Sequence, residues 1–303
     1  MQTEMQAQNL VELDNLLDID SLTRTEIEII LDHAVSMEEV LNRDIKKVPS
    51  LRGKTIVTLF YESSTRTRVS FEQAGKILSA DVININNKTS SNSKGESLYN
   101  TALTIQAIGA DVVIIRHPHA GASHFISKHI KTGVINAGDG THAHPTQALL
   151  DLYTIKKKLG SIEGKNIVLV GDILYSRVAR SHMWGLSKLG ANITICGPET
   201  LIPNDFIKGL KNITGHPFSN IKITSNIDEG LKNADIVMAL RLQLERQQSG
   251  HLPSLREYSR EFGITEERLK KSSQNVIVMH PGPMNEGIEI ESNVAHGANS
   301  IIE

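Results

Sequence analysis

The sequence predicts an α/β protein built as two doubly wound parallel-sheet domains joined by a bridging helix. Three observations carry this. Short β-branched apolar runs alternate with longer segments whose apolar residues recur at helical spacing. The alternation completes one set before Pro145 and begins a second at Asn166. At 303 residues and 39% hydrophobic content, the chain can fill two cores of ordinary size. The expected division is 1–150 and 151–303.

The elements follow in order. Thr23 and Glu26 form a capping-box signature, opening a helix with Ile27, Ile30, Leu31, Ala34 and Leu41 on one face, and Pro49 ends that region. Thr55 to Phe60 is β-branched, apolar and short, a buried strand. Past Glu62 the chain runs into hydroxyls and arginines, then a helical segment with Val69, Ala74, Ile77 and Leu78 on one side. Asp81 to Asn86 reads as a strand, Leu98 to Ile108 as a helix and Asp111 to Ile115 as a strand. A helix over Phe125 to Lys131 and a strand over Val134 to Ala137 complete the first set. Pro145 suits a first helical position and Gly160 a helix end, so Pro145 to Leu159 is the bridge. In the second set, Asn166–Gly171, Asn192–Cys196, Ile221–Thr224, Asp235–Leu240 and Val276–Met279 read as strands. Ser176–Leu189, Ile227–Asn233 and Ile264–Ser272 read as helices, and Glu245 to Arg260 as a long polar loop.

A net charge of −2 and a pI near 6.6 argue against nucleic acid or an anionic membrane as partner. The single cysteine, Cys196, has no partner for an internal disulfide, which fits a reducing compartment. With no 18-residue apolar run and no signal-peptide pattern, the expected address is the cytoplasm.

Polar groups gather at the predicted strand ends. Ser64, Thr65, Arg66 and Thr67 stand where a strand turns into a helix N-terminus, whose free N–H groups and positive dipole end favour an anion. A plain N-cap followed by solvated arginines is the simpler account; four successive phosphate-compatible side chains exceed what a cap needs. Arg116 ends a strand, and His144 and Gln147 lie one turn apart on one helix face. The second half offers Arg177, Arg241 with Gln243, and the Pro281-Gly282-Pro283 backbone. Strand ends of both halves are expected to line one cleft, taking one phosphorylated substrate and one bearing carboxylates. The loop Asn87 to Ser97 reads equally as a connector or as a donor-rich lid carrying Ser90, Ser91 and Lys94.

What is missing narrows the field. There is no Gly-x-x-x-x-Gly-Lys-Ser/Thr, and Gly171-Asp172-Ile173 lacks the glycines of a dinucleotide fingerprint. His142-Ala143-His144 lacks evident third and fourth ligands, so neither metal nor cofactor is expected. Cys196 reads as a buried thiol rather than a nucleophile, and His117, His119 and His280 as structural.

Five motifs together resemble the signatures of the transcarbamoylases: Ser64-Thr65-Arg66-Thr67, Arg116-His117-Pro118, His144-Pro145-Thr146-Gln147, Arg241-Leu242-Gln243 and His280-Pro281-Gly282-Pro283. Their order and spacing span nearly the whole chain. Arg-Leu-Gln-x-Glu-Arg and His-Pro-Gly-Pro are similar to the aspartate branch, and the His-Cys-Leu-Pro motif of the ornithine branch is absent. The resemblance implies carbamoyl phosphate and L-aspartate as substrates, carbamoyl aspartate and phosphate as products, and a place in pyrimidine biosynthesis. It implies direct attack of the aspartate amine on the carbamoyl carbon, without metal or covalent enzyme intermediate.

By the same resemblance Ser64, Thr65, Arg66 and Thr67 hold the phosphate, and Arg116 neutralises its growing charge. Thr67, Arg116 and His144 polarise the carbamoyl oxygen, while Gln147 and the carbonyls of Pro281 and Gly282 orient the carbamoyl nitrogen. Arg177 takes the α-carboxylate of aspartate and Arg241 with Gln243 its side-chain carboxylate; Gly282 also belongs to that set. Ser90 and Lys94 match the family loop that reaches a neighbouring subunit's site, implying a homotrimer with shared active sites; regulatory or pathway-enzyme subunits stay open.

Two departures stand out. Val178 replaces a threonine found beside the arginine in some members, and the chain ends at Glu303 where members usually continue into a helix that packs on the first domain. The second leads us to expect a looser hinge and exposed apolar surface. A carbamoyltransferase for another amino acceptor, or a non-catalytic scaffold, are the competing readings; loss of Arg66, Arg116 or His144 would favour the scaffold, and all three are present.

Overall fold

The computed structural model describes residues 13–86, 95–213, 215–246, 250, 252 and 254–302. The chain divides into two compact units, Met1–Tyr153 and Thr154–Glu303. The expected Ser90 and Lys94 lie outside the described residues, as do Ser91 in the same loop and Gln247 to Ser249 in the second.

The first unit is a five-stranded parallel sheet. Its strands are β1 (Asn15–Leu16), β2 (Thr55–Phe60), β3 (Asp81–Asn86), β4 (Val112–His117) and β5 (Gly133–Asp139), in the order β1-β5-β4-β2-β3. Helices α1 (Arg24–Leu41), α2 (Thr65–Ile77), α3 (Leu98–Ala107) and α4 (Ala122–Ser127) connect them. The Thr23–Glu26 capping box opens α1 as the residue types predict, with Thr23 Oγ1 accepting from the Glu26 N–H. β2 is an interior strand between β4 and β3, and Ile56 to Phe60 are all buried because helices cover both faces of a parallel sheet. Each such aliphatic side chain contributes about 1.5–3 kcal/mol on burial. The β2–β3 register pairs Thr55 with Asp81 through Phe60 with Asn86, and Phe60 pairs with Arg116 of β4. The ends of β2 and β4 therefore lie side by side, which brings the α2 N-terminus to Arg116.

Helix α5 (Pro145–Leu159) runs through the division at Tyr153. The second unit repeats the architecture: β6 (Asn166–Val170), β7 (Asn192–Cys196), β8 (Lys222–Thr224), β9 (Ile236–Ala239) and β10 (Ile277–Met279), in the order β10-β9-β6-β7-β8, all parallel. Its helices are α6 (Arg177–Lys188), α7 (Asn204–Lys211), α8 (Ile227–Leu231), α9 (Leu255–Phe262), α10 (Glu266–Leu269) and α11 (Ser292–Ala295). Val168, Val170, Val237, Ala239 and Val278 form its main cluster with Ile227, Leu231 and Ile264.

The polar stretch expected to be a loop to Arg260 contains α9. Ser254 caps it by accepting from the Glu257 N–H, and Tyr258 is buried among Leu201 and Leu242. With so few apolar residues among charges, the helical period was faint. Helix α4 begins at Ala122, earlier than the apolar pattern suggests, because Gly121 takes φ 81° at its start. The α7 helix falls in a span with three prolines where no helix was expected, and α8 stops at Leu231, two residues short of Asn233. Apolar side chains are exposed at several points of the first unit, including Val35, Leu41 and Leu150.

Candidate functional site

In the first unit, Arg116 is the centre. It leaves β4 partly buried, and one guanidinium nitrogen reaches Thr67 Oγ1 at 3.4 Å, the Ala137 carbonyl at 3.1 Å and His144 Nε2 at 3.4 Å. Glu62 Oε2 stands 3.4 Å from Arg116 Nε, partly balancing the charge. Three of the expected residues thus meet on one atom. The contacts to Thr67 and His144 are long, so an oxygen placed among the three can replace them without breaking strong bonds.

Ser64 is the N-cap of α2, yet its side chain makes no capping bond, and the first turn holds no carboxylate. The helix end keeps its electropositive character. Thr65 and Arg66 are exposed beside it, and Ser64 and Thr67 are half-buried.

His144 is buried immediately before α5. Gln147, one turn on, donates its amide nitrogen to both Asp151 oxygens at 3.2 Å, and Asp151 is itself buried. That leaves the Gln147 carbonyl as the end presented outward, an acceptor suited to a carbamoyl-type –NH₂.

The turn before His144 is held by Asp139, which the sequence did not single out. It is 1% exposed and accepts from the Gly121 N–H at 2.6 Å, Asn136 Nδ2 at 2.8 Å and the Ala143 N–H at 3.1 Å. Burial alone would raise its carboxyl, but hydrogen bonds from His142 and Asn136 hold it below the usual range. Gly140 sits at φ 47°, and a Cβ there would lie 2.6 Å from the Ala120 nitrogen, so only glycine closes this turn.

In the second unit, Arg241 and Gln243 come together after β9: a guanidinium nitrogen donates to Gln243 Oε1 at 3.1 Å. The same guanidinium is paired with the Glu245 carboxylate, showing that its fork accommodates a carboxylate. Arg177 opens α6 behind the Ser176 cap and is 4% exposed. A second unforeseen aspartate ties these loops. Asp172 is fully buried; its oxygens accept from the Tyr175 N–H at 3.0 Å and the Gln243 N–H at 3.1 Å.

Pro281 and Gly282 follow β10. His280 Nδ1 accepts from the Gly282 N–H at 2.8 Å, while its other nitrogen faces Glu289 at 3.4 Å. His280 is therefore structural, as its residue context suggests, and Glu289 is the missed residue behind it. Cys196 is fully buried, and burial pushes its thiol up to about 12, which suits packing rather than nucleophilic attack.

His142 lies in the turn between β5 and α5. It bonds Asp139, which raises its pKa above the ordinary histidine value. His142, His124 and Asp139 cluster together, so the His-x-His pair of the sequence is not one ligand set.

Residues 14–157 match the family described as aspartate/ornithine carbamoyltransferase, carbamoyl-P binding domain. Residues 163–303 match the Asp/Orn binding domain of the same family. Among relatives, the chain is 56% identical over 290 residues to the aspartate carbamoyltransferase catalytic subunit of Roseiflexus sp. (strain RS-1), covering 95% of this chain and 89% of the relative. It is 53% identical to the protein of that name from Heliobacterium modesticaldum, with the same coverage. Among solved structures, it is similar to Trypanosoma cruzi aspartate transcarbamoylase in complex with carbamoyl phosphate and aspartate (TM-score 0.85, 29% identity, 95% and 90% of the two chains). It is equally similar in fold to ornithine carbamoyltransferase from Pyrococcus furiosus (TM-score 0.84, 28% identity, 95% and 90%). The fold therefore does not separate the two branches, and the sequence relatives do.

Proposed function

Because the chain belongs to the aspartate/ornithine carbamoyltransferase family, we propose that it is an aspartate carbamoyltransferase, moving the carbamoyl group of carbamoyl phosphate to the amine of L-aspartate. The products are N-carbamoyl-L-aspartate and phosphate, which serve pyrimidine biosynthesis. The observation that carries the site reading is the meeting of Thr67, His144 and the Ala137 carbonyl on one nitrogen of Arg116.

The first unit takes carbamoyl phosphate. Ser64, Thr65, Arg66 and Thr67 hold the phosphate at the uncapped α2 N-terminus. The aspartate amine attacks the carbamoyl carbon, the carbonyl oxygen gains charge, and the C–O bond to phosphate breaks as the departing phosphate takes the amine proton. Arg116, Thr67 and His144 stabilise that oxygen, and Arg116 also meets the charge left on the phosphate. The Gln147 carbonyl, aimed by Asp151, accepts from the carbamoyl –NH₂. The second unit takes aspartate: Arg177 its α-carboxylate, Arg241 and Gln243 its side chain, with Glu245 yielding its place on Arg241. No group here forms a covalent intermediate, so positioning and electrostatics supply the rate.

The match of Ser90 and Lys94 to the family loop supports a homotrimer with shared active sites, and the relatives' name, catalytic subunit, supports further subunits as partners. The lone, buried Cys196 supports a cytoplasmic address. The test is a colorimetric assay for ureido product with carbamoyl phosphate and a panel of amino acids. Turnover restricted to L-aspartate is expected. Preference for another amino acceptor overturns the aspartate assignment, and inactivity with every amino acid supports the scaffold reading.

A further inference from the structure

We propose that His124, Asp139 and His142 bind a divalent transition-metal ion of the zinc class in the first unit. None of the three belongs to the proposed substrate set. One nitrogen of each imidazole and one Asp139 oxygen lie within 4.8 Å of one another. They come from separate elements: His124 from α4, Asp139 from the end of β5, and His142 from the turn that follows.

Two of the ligands are preorganised. The Asp139–Ala143 turn is closed by Asp139 N–H to the Ala143 carbonyl at 3.1 Å and His142 N–H to the Asp139 carbonyl at 2.9 Å. Asp139 Oδ2 and His142 Nδ1 stand 3.1 Å apart. That separation matches the edge of an octahedron with metal–ligand distances of about 2.2 Å; the tetrahedral edge, about 3.3–3.6 Å for distances of about 2.0–2.2 Å, needs a small turn of the His142 ring. Carboxylate capacity also allows it. Asp139 Oδ1 already accepts from Asn136 and Ala143 and lies 3.2 Å from His142 Nδ1, whereas Oδ2 accepts only the Gly121 N–H besides His142. A metal would take the place of the proton now shared between Oδ2 and His142.

The third ligand carries the arrangement usual behind a ligating imidazole, a carboxylate on its other nitrogen. His124 Nε2 lies 2.8 Å from Asp18 Oδ2, and Asp18 is buried. Its Nδ1 is buried and makes no hydrogen bond among the described residues. The two imidazoles already meet edge to face, with centroids 5.5 Å apart. Both side chains are about one third exposed, at 35% and 34%, so the rings have room to turn and a solvent path admits the ion and one or more waters. Two imidazoles and one carboxylate form a borderline donor set, suited to zinc or its neighbours rather than to calcium or magnesium, which take oxygen shells. A bound ion would clamp the turn that carries His144 onto α4.

The experiment uses the full chain without a histidine tag, stripped by chelator and titrated with Zn²⁺ by calorimetry. The buffer is free of phosphate, and the titration is repeated on His144→Gln so that uptake at the substrate residues is told apart from uptake at this cluster. Uptake of one zinc per chain with a raised Tm is expected, and zinc-edge X-ray absorption of the wild type should show two imidazole nitrogens with oxygen ligands. His124→Gln and His142→Gln should each weaken binding by at least tenfold, and Asp18→Asn by about 10–100-fold, while His216→Gln should not change it. The proposal is overturned if the wild type takes up no zinc, if the absorption spectrum lacks two imidazoles, or if both histidine variants bind like the wild type. The spectrum decides the matter even where a variant fails to fold.

Discussion

Asp172 offers the sharpest test of how the acceptor half is built. Its carboxylate is fully buried and accepts two backbone N–H bonds, from Tyr175 in the loop before α6 and from Gln243 in the loop after β9. Arg177 follows the first loop and Arg241 opens the second, so one side chain sets the spacing of both arginines proposed to take the carboxylates of aspartate. Arg246 adds a long contact to the Tyr175 carbonyl at 3.4 Å. Hydrogen bonds to a charged acceptor contribute about 1.5–3 kcal/mol each. Asp172→Ala removes both and leaves two buried donors, a loss of about 3–6 kcal/mol shared between stability and acceptor binding. Asp172→Asn keeps one acceptor oxygen and should lose about half as much. Unfolding in urea, followed by circular dichroism, measures the first share. Calorimetric binding of succinate, a dicarboxylate that lacks the reacting amine, measures the second; each 1.4 kcal/mol appears as about a tenfold loss. Inorganic phosphate binding should stay at the wild-type level. The reasoning is refuted if Asp172→Ala unfolds at the wild-type urea concentration and binds succinate normally. It is equally refuted if phosphate and succinate binding fall together.

Arg66→Ala should weaken phosphate binding by about 1.5–3 kcal/mol in a folded protein, since Arg66 stands exposed at the α2 N-terminus; near-normal phosphate affinity would remove it from the site. Cys196 should resist a thiol reagent in the native protein and react only on unfolding, because burial both hides the sulfur and pushes its thiol up to about 12. Rapid labelling of native protein would contradict this. Lys94→Ala and His144→Ala should each be nearly inactive, and mixing them under subunit exchange should restore activity if the two residues of one site come from different chains. Exchange proven by a charge label, with activity still at the mutant level, would refute the shared site.

The strands other than β1 were legible as short β-branched runs, apolar in Thr55–Phe60 and Asn192–Cys196 and alternating in Asp81–Asn86, and these three begin and end where the pattern says. Strand β1, Asn15–Leu16, is two residues long and too short to show a pattern. Helix α5 was legible from its proline start and glycine end. The misses have physical causes. In α9, Leu255, Tyr258 and Phe262 are outnumbered by charged neighbours, and the Ser254–Glu257 cap was the available signal. For the site, Thr67, Arg116 and His144 were foreseen and do meet, since chemistry-bearing residue types at strand ends are visible in a sequence. The residues that aim them were not, because an aspartate in a turn reads as solvent-facing until its backbone donors are known.

The two aspartates missed turn out to be one device used twice. Gly138-Asp139 lies at the end of β5 and Gly171-Asp172 just beyond β6. Each glycine takes positive φ, 115° and 128°, which turns the chain sharply as it leaves the sheet. Each aspartate is then buried, at 1% and 0% exposure, with its oxygens accepting backbone N–H groups from neighbouring loops. In the first unit the loops so tied lead into His144; in the second they carry Arg177, Arg241 and Gln243. A surface loop supported only by its own backbone would let those side chains drift, and loss of an ångström in position is costly when positioning supplies most of the rate. The Gly-Asp pair supplies the rigidity at the strand end, so the sequence had marked both supports with the same two letters. Read for phosphate-binding glycines, Gly171-Asp172-Ile173 looked like a failed motif. Read for buried carboxylates beside a positive-φ glycine, it matches Gly138-Asp139-Gly140 and points to the loops that carry the proposed site residues of both units.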